Sequence, residues 1–466
     1  MSLPATGQAG VSPTEDAMDM TAVPQSALDL AARLASKDAC IAVIGLGYVG
    51  LPLSLAAVGA GFRVIGFDVD PAKVEGLTAG VSPINTIQSG AVAEANKTGR
   101  FEVTADFAEL VRADAIIICV PTPLSRHREP DLSFVEATGY SIAARLRPAQ
   151  LVVLESTTYP GTTAEVLKPI LERSGLSAGT DFFLAFSPER EDPGNAHFET
   201  TTIPRVVGAD DEGSRRAAIA LYSRIVKKVV PVSSAATAEA VKVTENVFRA
   251  VNIALVNELK LIYTRMGIDV WEVIEAAKSK PFGFMAFYPG PGIGGHCIPI
   301  DPFYLTWKAR EFDFPTRFIE LAGEVNAAAP KHVVDALAEE LSVRFRKSLA
   351  GARILMIGIA YKKNVNDMRE SPAIRILEMI EARGGTVEFH DPFVPVIPKT
   401  REHAALEGRL SADWAPEGFG RFDAALVVTD HDGVDYAALS EAVPLVVDTR
   451  NIMRGAGIDQ SKIAVA

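Results

Sequence analysis

The residues best suited to chemistry gather around a cysteine. Cys297 closes a glycine-dense loop, Gly290-Pro291-Gly292-Ile293-Gly294-Gly295-His296-Cys297, and Asp301 follows four residues later. Glycine lets the backbone bend sharply and lie against a ligand without interference from Cβ. A thiol becomes a nucleophile when it ionises, and a nearby cation promotes that. Lys242 is the candidate cation. Lys242, Asn246 and Arg249 recur at i, i+4 and i+7 in a helical pattern from Thr237 to Arg265, so they share a face. Arg249 reads equally well as part of a solvated stripe, whereas Lys242 and Asn246 sit among apolar neighbours. His296 is a poor partner for Cys297, because adjacent residues in an extended segment point oppositely. Asp301-Pro302 reads as an N-cap and first-turn proline opening a helix through Phe303 and Trp307. The Asp301 carboxyl could also share a proton with Lys242 and an attacking water.

A second constellation says what that thiol would work beside. The apolar run Cys40–Ile44 leads into Gly45-Leu46-Gly47-Tyr48-Val49-Gly50, then an apolar helix, then Arg63–Phe67 ending at Asp68. This is GxGxxG in its strand–turn–helix setting, with the acid 18 residues beyond the last glycine. Gly45 serves the tight turn, Gly47 the approach of a pyrophosphate, and Gly50 the packing of helix on strand. Asp68 would bind the adenosine ribose hydroxyls, and no arginine follows immediately to hold a 2′-phosphate, so NAD is expected. Asp70-Pro71 reads as the cap of the next helix. A nucleophilic thiol beside a nicotinamide implies oxidation at the aldehyde level. Thiolate adds to a carbonyl, the hemithioacetal loses hydride to NAD, and water cleaves the thioester.

The elements that must position these residues alternate strand and helix. Further strands end at Pro121-Thr122, at Glu155-Ser156-Thr157 and at Ser187-Pro188-Glu189-Arg190. Ligands of open parallel sheets bind beyond the carboxyl ends of strands, where Thr122, Thr157 and Glu189 fall. Cys40 and Cys119, inside strands, read as small core residues. After Pro330 the rhythm restarts, with strands near Arg353–Ile357, Thr386–Phe389, Ala424–Val428 and Pro444–Val447. This second unit lacks the glycine fingerprint and is expected to take a different nucleotide. Lys362, Lys363, Arg369 and Arg450 stand near its strand ends, where cations meet phosphates. The fold class is therefore α/β, with two Rossmann-like doubly wound parallel-sheet domains joined by a long helix and a helical central region. The expected divisions are a flexible extension over 1–37 that leads into a short helix near Ala27–Leu34, a dinucleotide domain over 38–235, a central domain over 236–330 and a second nucleotide domain over 331–466.

Composition sets the outer bounds. The chain has 466 residues, 48% hydrophobic and 22% charged, and a formal charge of −12, which disfavours nucleic acid as a partner. No apolar run reaches membrane-spanning length, and the start lacks the pattern of a secretory signal. Three cysteines, at 40, 119 and 297, give neither a disulfide framework nor metal spacing, as expected for a reducing cytoplasm.

From about Asp38 onward the chain resembles the nucleotide-sugar 6-dehydrogenases that act on UDP-glucose and UDP-N-acetylhexosamines. The resemblance rests on Gly45–Gly50, Glu155-Ser156-Thr157, the segment from Ser187 to Gly194, Lys242 through Asn246, Gly294 through Asp301, and Lys362 with Arg369-Glu370-Ser371-Pro372. It implies an NAD domain, a helical dimerisation core and a UDP domain. It also implies two successive oxidations at C6, consuming two NAD per uronic acid. Carried over by position, Cys297 becomes the thioester nucleophile, and Lys242 and Asn246 stabilise oxyanions. Asp301 helps activate water, Thr157 positions a water and Glu189 is the general base. Tyr48, Val49, Thr122 and Arg369 join the glycines and Asp68 around NAD. Glu189, Arg190, Lys242, Asn246, Gly294, Lys362 and Arg450 face the UDP-sugar. Relatives that use UDP-glucose carry, near Phe282, an arginine reaching a neighbouring subunit's sugar. Its absence from Lys280-Pro281-Phe282-Gly283-Phe284 speaks for an N-acetylated sugar, and the segment from Ser187 to Gly194, with Phe303 to Trp307, most resembles UDP-N-acetylglucosamine 6-dehydrogenases. A homodimer in a bacterial polysaccharide pathway is the expected setting. The competing readings are a 6-dehydrogenase of UDP-glucose or of the UDP-N-acetylmannosamine or UDP-N-acetylgalactosamine epimer, a one-step β-hydroxyacid dehydrogenase, and a non-catalytic NAD- and UDP-sugar-binding protein.

Overall fold

The computed structural model describes residues 23–84, 87–125, 129–190, 200–295, 298–399, 403–454 and 458–466. Cys297, with His296, and residues 191–194 of the Ser187–Gly194 segment lie outside the described residues.

Short apolar runs too brief for helices become buried strands. In the first sheet these are β1 (Cys40–Ile44), β2 (Arg63–Phe67), β3 (Phe101–Thr104), β4 (Ala115–Ile118), β5 (Leu151–Leu154), β6 (Phe183–Phe186), β7 (Arg205–Gly208) and β8 (Val229–Val232). Their order is β3-β2-β1-β4-β5-β6-β7-β8. The strands from β3 to β6 are parallel and level at their carboxyl ends, with Ile44 opposite both Phe67 and Ile118, and Leu154 opposite both Ile118 and Phe186. Both faces are covered, as all-parallel strands require. β7 departs from the expected parallel order: it meets β6 antiparallel through the single pair Phe186–Gly208, and β8 then runs parallel to β7.

Packing adds detail at two of the expected divisions. The short helix expected near Ala27–Leu34 is present as Gln25–Ser36, with Ala27, Leu30 and Leu34 buried. That stripe packs on the helix Glu212–Ile225 and joins the core of the first sheet, so burial holds it in place. The expected break at 330 falls inside one continuous helix, Arg317–Phe345. Pro330 has no N–H and costs a helix bond to Asn326. The helix nevertheless runs on, because Val333, Val334, Leu337 and Leu341 bury against the second sheet.

The long helix Ala235–Met266 links the two sheets. Ser234 caps its start, accepting from the Thr237 amide at 3.0 Å, and Gly267 ends it at φ +70°. At 32 residues it spans about 48 Å. The second sheet holds β9 (Arg353–Ile357), β10 (Thr386–His390), β11 (Ala424–Val427), β12 (Val446–Asp448) and β13 (Ile463–Val465), all parallel, in the order β10-β9-β11-β12-β13. The chain is thus α/β, with two Rossmann-like sheets about a helical centre. Among the described residues no helix is long and apolar enough to cross a membrane.

Candidate active site

The turn after β1 shows why each glycine is glycine. Gly45 takes φ +92°, and a Cβ there would lie 2.6 Å from the Cys119 carbonyl oxygen. At Gly50 a Cβ would fall 1.9 Å from the Gly45 carbonyl oxygen and 3.1 Å from Val43, so helix and strand could not close. Gly47 meets nothing within 4 Å and presents open backbone at the head of the helix Gly50–Ala60. Asp68, buried at the end of β2, accepts from the Leu46 amide at 3.0 Å and the Asp70 amide at 3.1 Å, with Lys73 paired at 2.7 Å. An open glycine cradle beside a buried carboxylate fits a dinucleotide, pyrophosphate over Gly47 and ribose toward Asp68. Asp70 caps the next helix as expected, accepting from Ala72 at 3.0 Å. Val49 immediately precedes the helix Gly50–Ala60. Tyr48 is half-buried, and the Arg369 guanidinium lies 4.7 Å over its ring while pairing with Asp367 at 2.6 Å. Arg369 therefore reaches the dinucleotide turn from the other sheet's side of the molecule.

On the long helix Lys242 and Asn246 do share a face, and Arg249 is exposed. Asn246 Nδ2 donates to Asp301 Oδ2 at 2.5 Å, and Asp301 and Lys242 are both buried. Burial pushes the Asp301 carboxyl up to about 6, against the opposing pull of the Lys242 charge and the Asn246 hydrogen bond. Asp301 does not cap its helix. It is the first residue of Asp301–Ala309, no side chain caps that helix start, and its carboxyl turns to Asn246. Capping is lost because the carboxyl has a buried partner across 55 residues of chain.

The strand ends carry the remaining candidates. Thr122 offers its carbonyl to the Tyr304 hydroxyl at 2.5 Å, docking the Asp301 helix onto the loop after β4. Thr157 is half-buried just past β5. Its segment is anchored by Glu239 of the long helix, which accepts from the Gly161 amide at 2.5 Å and the Thr163 amide at 2.8 Å. Glu189, buried past β6, pairs with Arg205 at 2.6 Å and accepts from the Arg190 amide. The Arg190 side chain turns away to Glu245, at 3.1 Å, and to the Pro204 carbonyl.

Sequence reasoning missed Arg205 and read Glu155 only as a strand-end residue. Arg205, in β7, bridges Glu189 and Glu155, and Tyr222 donates to Glu155. Two buried carboxylates on one guanidinium form a fixed frame for the Glu189 strand end. An arginine opening the apolar run Arg205-Val206-Val207-Gly208 was the available signal, since a buried charge must find a partner.

The loop before Cys297 is built by contacts from both directions. Gly290 N donates to Asn257 Oδ1 at 2.9 Å, and a Cβ on Gly290 would lie 2.8 Å from the Arg450 guanidinium. Arg450 Nε donates to the Val428 carbonyl at 2.8 Å. Gly294 lies so close to Tyr361 that a Cβ would come within 2.7 Å, and Gly295 N donates to the Arg369 carbonyl at 3.1 Å. The segment bearing Lys362 and Arg369 thus seats the glycine loop directly, with Lys362 itself half-buried. Phe282 stands exposed, with the Lys280 ammonium 5.0 Å over its ring.

Comparison with known proteins places this arrangement. Residues 39–226, 236–328 and 355–455 match in turn the NAD-binding, central and UDP-binding domains of the UDP-glucose/GDP-mannose dehydrogenase family. The chain is 35% identical over 397 residues to a UDP-N-acetyl-D-glucosamine 6-dehydrogenase of Pseudomonas aeruginosa, covering 85% of this chain and 91% of that one. It is 34% identical over 420 residues to a UDP-N-acetyl-D-mannosamine dehydrogenase of Pyrococcus horikoshii, covering 89% and 96%. A solved structure of UDP-D-ManNAc dehydrogenase from Pyrococcus horikoshii superposes with a TM-score of 0.82 at 32% identity, covering 91% of this chain and 98% of that one. Three domains matched in order and relatives alike over most of their length show that the chain belongs to the UDP-glucose/GDP-mannose dehydrogenase family, as an NAD-dependent nucleotide-sugar dehydrogenase.

Proposed function

We propose that this chain oxidises C6 of a UDP-N-acetylhexosamine, UDP-N-acetylglucosamine first, to the uronic acid for a surface polysaccharide. The observation that carries the chemistry is the hydrogen bond from half-buried Asn246 to buried Asp301 beside Lys242, with Asp301 four residues after Cys297. Held in the Gly45–Gly50 turn, NAD supplies the hydride acceptor for each of two oxidations. The chain's own residues do the rest. Lys242 and Asn246 stabilise the oxyanion that forms at C6. Cys297 adds to the aldehyde, and oxidation of that adduct leaves a thioester on sulfur. Water then cleaves the thioester, with Thr157 positioning it and Glu189 and Asp301 handling its proton. Glu189 does so from the Arg205 frame, which orients its carboxylate. Lys362 and Arg450 hold the nucleotide, Arg190 and Gly294 border the sugar, and Arg369 with Tyr48 borders NAD.

The likeness to UDP-N-acetyl-D-mannosamine dehydrogenases favours that epimer as the second reading. A second copy of the chain completes the molecule. Phe248, Leu255, Ile262 and Met266 form one exposed stripe on the long helix, and Phe318 and Leu321 stand exposed on Arg317–Phe345. An apolar area of this kind is a partner surface. Exposed Phe282 then reaches the partner's sugar, where an acetamido methyl suits it better than an arginine would.

A panel of UDP-sugars tests the reading, with product mass and NADH counted per sugar. Two NADH per UDP-N-acetylhexosamine is expected; one NADH, or a clear preference for UDP-glucose, overturns it. In Cys297→Ala uronate formation should vanish while NAD affinity, read by fluorescence quenching, stays unchanged.

A further inference from the structure

We propose that His431 is a positioning residue for the nucleotide, acting through the segment Gly358–Asn364 that carries Lys362. The proposal rests on the reading above that Lys362 holds the UDP-sugar.

The segment leaves β9 at Gly358, where φ is +80° and a Cβ would lie 2.3 Å from the Thr429 carbonyl oxygen. Its first turn is gripped by Asp391, whose Oδ2 accepts from the Ile359 amide at 2.7 Å and the Ala360 amide at 3.0 Å. Thr429 Oγ1 donates to the Ala360 carbonyl at 2.6 Å. Its far end is gripped by His431, whose Nδ1 accepts from the Asn364 amide at 3.0 Å. Asn364 sits at φ +59°, a left-handed turn that asparagine tolerates better than other residues with a Cβ. A reciprocal pair with Asp432 completes the grip: Asn364 Nδ2 donates to Asp432 Oδ2 at 2.7 Å, and the Asp432 amide donates to Asn364 Oδ1 at 2.9 Å.

The ring's two nitrogens make one device of these contacts. Because Nδ1 accepts from an amide, it carries a lone pair, and the ring proton sits on Nε2. Nε2 donates to Asp391 Oδ2 at 3.0 Å, the same oxygen that holds the start of the segment. One buried imidazole therefore ties both ends of the segment to one carboxylate, with Lys362 between them. Both side chains are fully buried, Phe393 packs 5.0 Å from the ring, and the Tyr436 hydroxyl donates to the His431 carbonyl at 3.2 Å. The segment also seats Gly294 through Tyr361, so its position reaches the glycine loop.

Two near-isosteres separate positioning from packing. In asparagine Oδ1 hangs from Cγ as Nδ1 does, so His431→Asn keeps the acceptor for Asn364 and gives up Asp391. In glutamine Nε2 matches the ring Nε2, so His431→Gln keeps Asp391 and gives up the acceptor. Both lose the ring's packing on Phe393. With Lys362→Ala as reference, UDP affinity by calorimetry and KM values are compared. Lys362→Ala and His431→Gln should each weaken UDP about tenfold, some 1.4 kcal/mol, and raise the KM for UDP-sugar but not for NAD. His431→Asn, which keeps the direct hold on Asn364 and loses only the tie to Asp391, should weaken UDP clearly less than His431→Gln, by about two- to threefold. If Lys362→Ala weakens UDP while the two His431 variants behave alike, the latch fails and the reading of Lys362 stands. If Lys362→Ala leaves UDP affinity intact, the reading of Lys362 fails and takes the latch with it. A measurement on the unaltered chain stands beside these in case a variant does not fold. Hydrogen exchange of the 358–366 peptide should be slow without ligand, and free exchange at Asn364 would overturn the latch.

Discussion

At Asp301 burial and charge pull in opposite directions. Desolvation disfavours the carboxylate, while Lys242 and the Asn246 amide favour it, and the balance leaves the group titrating at about 6 instead of 3.8. A proton exchanger is most useful near its working pH. The turnover rate should therefore fall on the acid side of about pH 6, where Asp301 protonates. In Asp301→Asn that acid limb should disappear and kcat drop by roughly 10²- to 10⁴-fold, which steady-state rates across pH 5–9 would check. The same shift has a stability sign. The folded state holds this proton more tightly than the unfolded chain, so the group's contribution falls as pH rises from 3.8 to about 6. The loss is on the order of 3 kcal/mol. Lys242→Met would remove the favourable charge and move the acid limb upward.

Among the elements, the strand–turn–helix around Gly45–Gly50 separates a folding role from a binding role within a few residues. Gly50 is where the helix closes on the Gly45 carbonyl, and Gly47 is where nothing of the protein intrudes. Gly50→Ala forces a backbone shift, so the chemical-denaturation midpoint should fall by an amount worth about 1–3 kcal/mol. Gly47→Ala meets open space, so the midpoint should stay put. Its methyl would stand where the pyrophosphate lies, and the KM for NAD should rise at least tenfold with UDP affinity unchanged. Equal effects of the two substitutions on folding would contradict this division. The turn was legible in the sequence because all its determinants lie within 24 residues, from Gly45 to Asp68. The helix Arg317–Phe345 was legible only in part. Pro330 is a local signal to stop, and burial of Val333, Val334, Leu337 and Leu341 overrides it.

Over the whole molecule, two sheets serve a site that neither contains. Arg369 leans from the second sheet's segment onto Tyr48 of the first, and the glycine loop before Cys297 rests on Tyr361. The exposed stripe of Phe248, Leu255, Ile262 and Met266 lies on the side of the long helix turned away from the Lys242 face. A charge placed there leaves the fold alone and penalises association. On the proposed pairing across this face, Leu255→Asp with Phe318→Asp should sediment as a monomer by sedimentation velocity, with helicity by circular dichroism unchanged. A variant that still sediments as the wild type would exclude this face as the contact.

What the sequence determined by itself is local or periodic. The dinucleotide turn, the apolar strands and the shared face of Lys242 and Asn246 follow from spacing alone, because strand, turn and helix geometry are set within a few residues. The tertiary structure decided whose partner each polar side chain became. It took Asp301 from a cap to Asn246, tied Glu189 and Glu155 to Arg205, set Tyr304 on Thr122 across 182 residues, and closed His431 on Asp391. A buried polar group must be paired, but which partner arrives depends on how distant segments pack. Spacing carries no record of that.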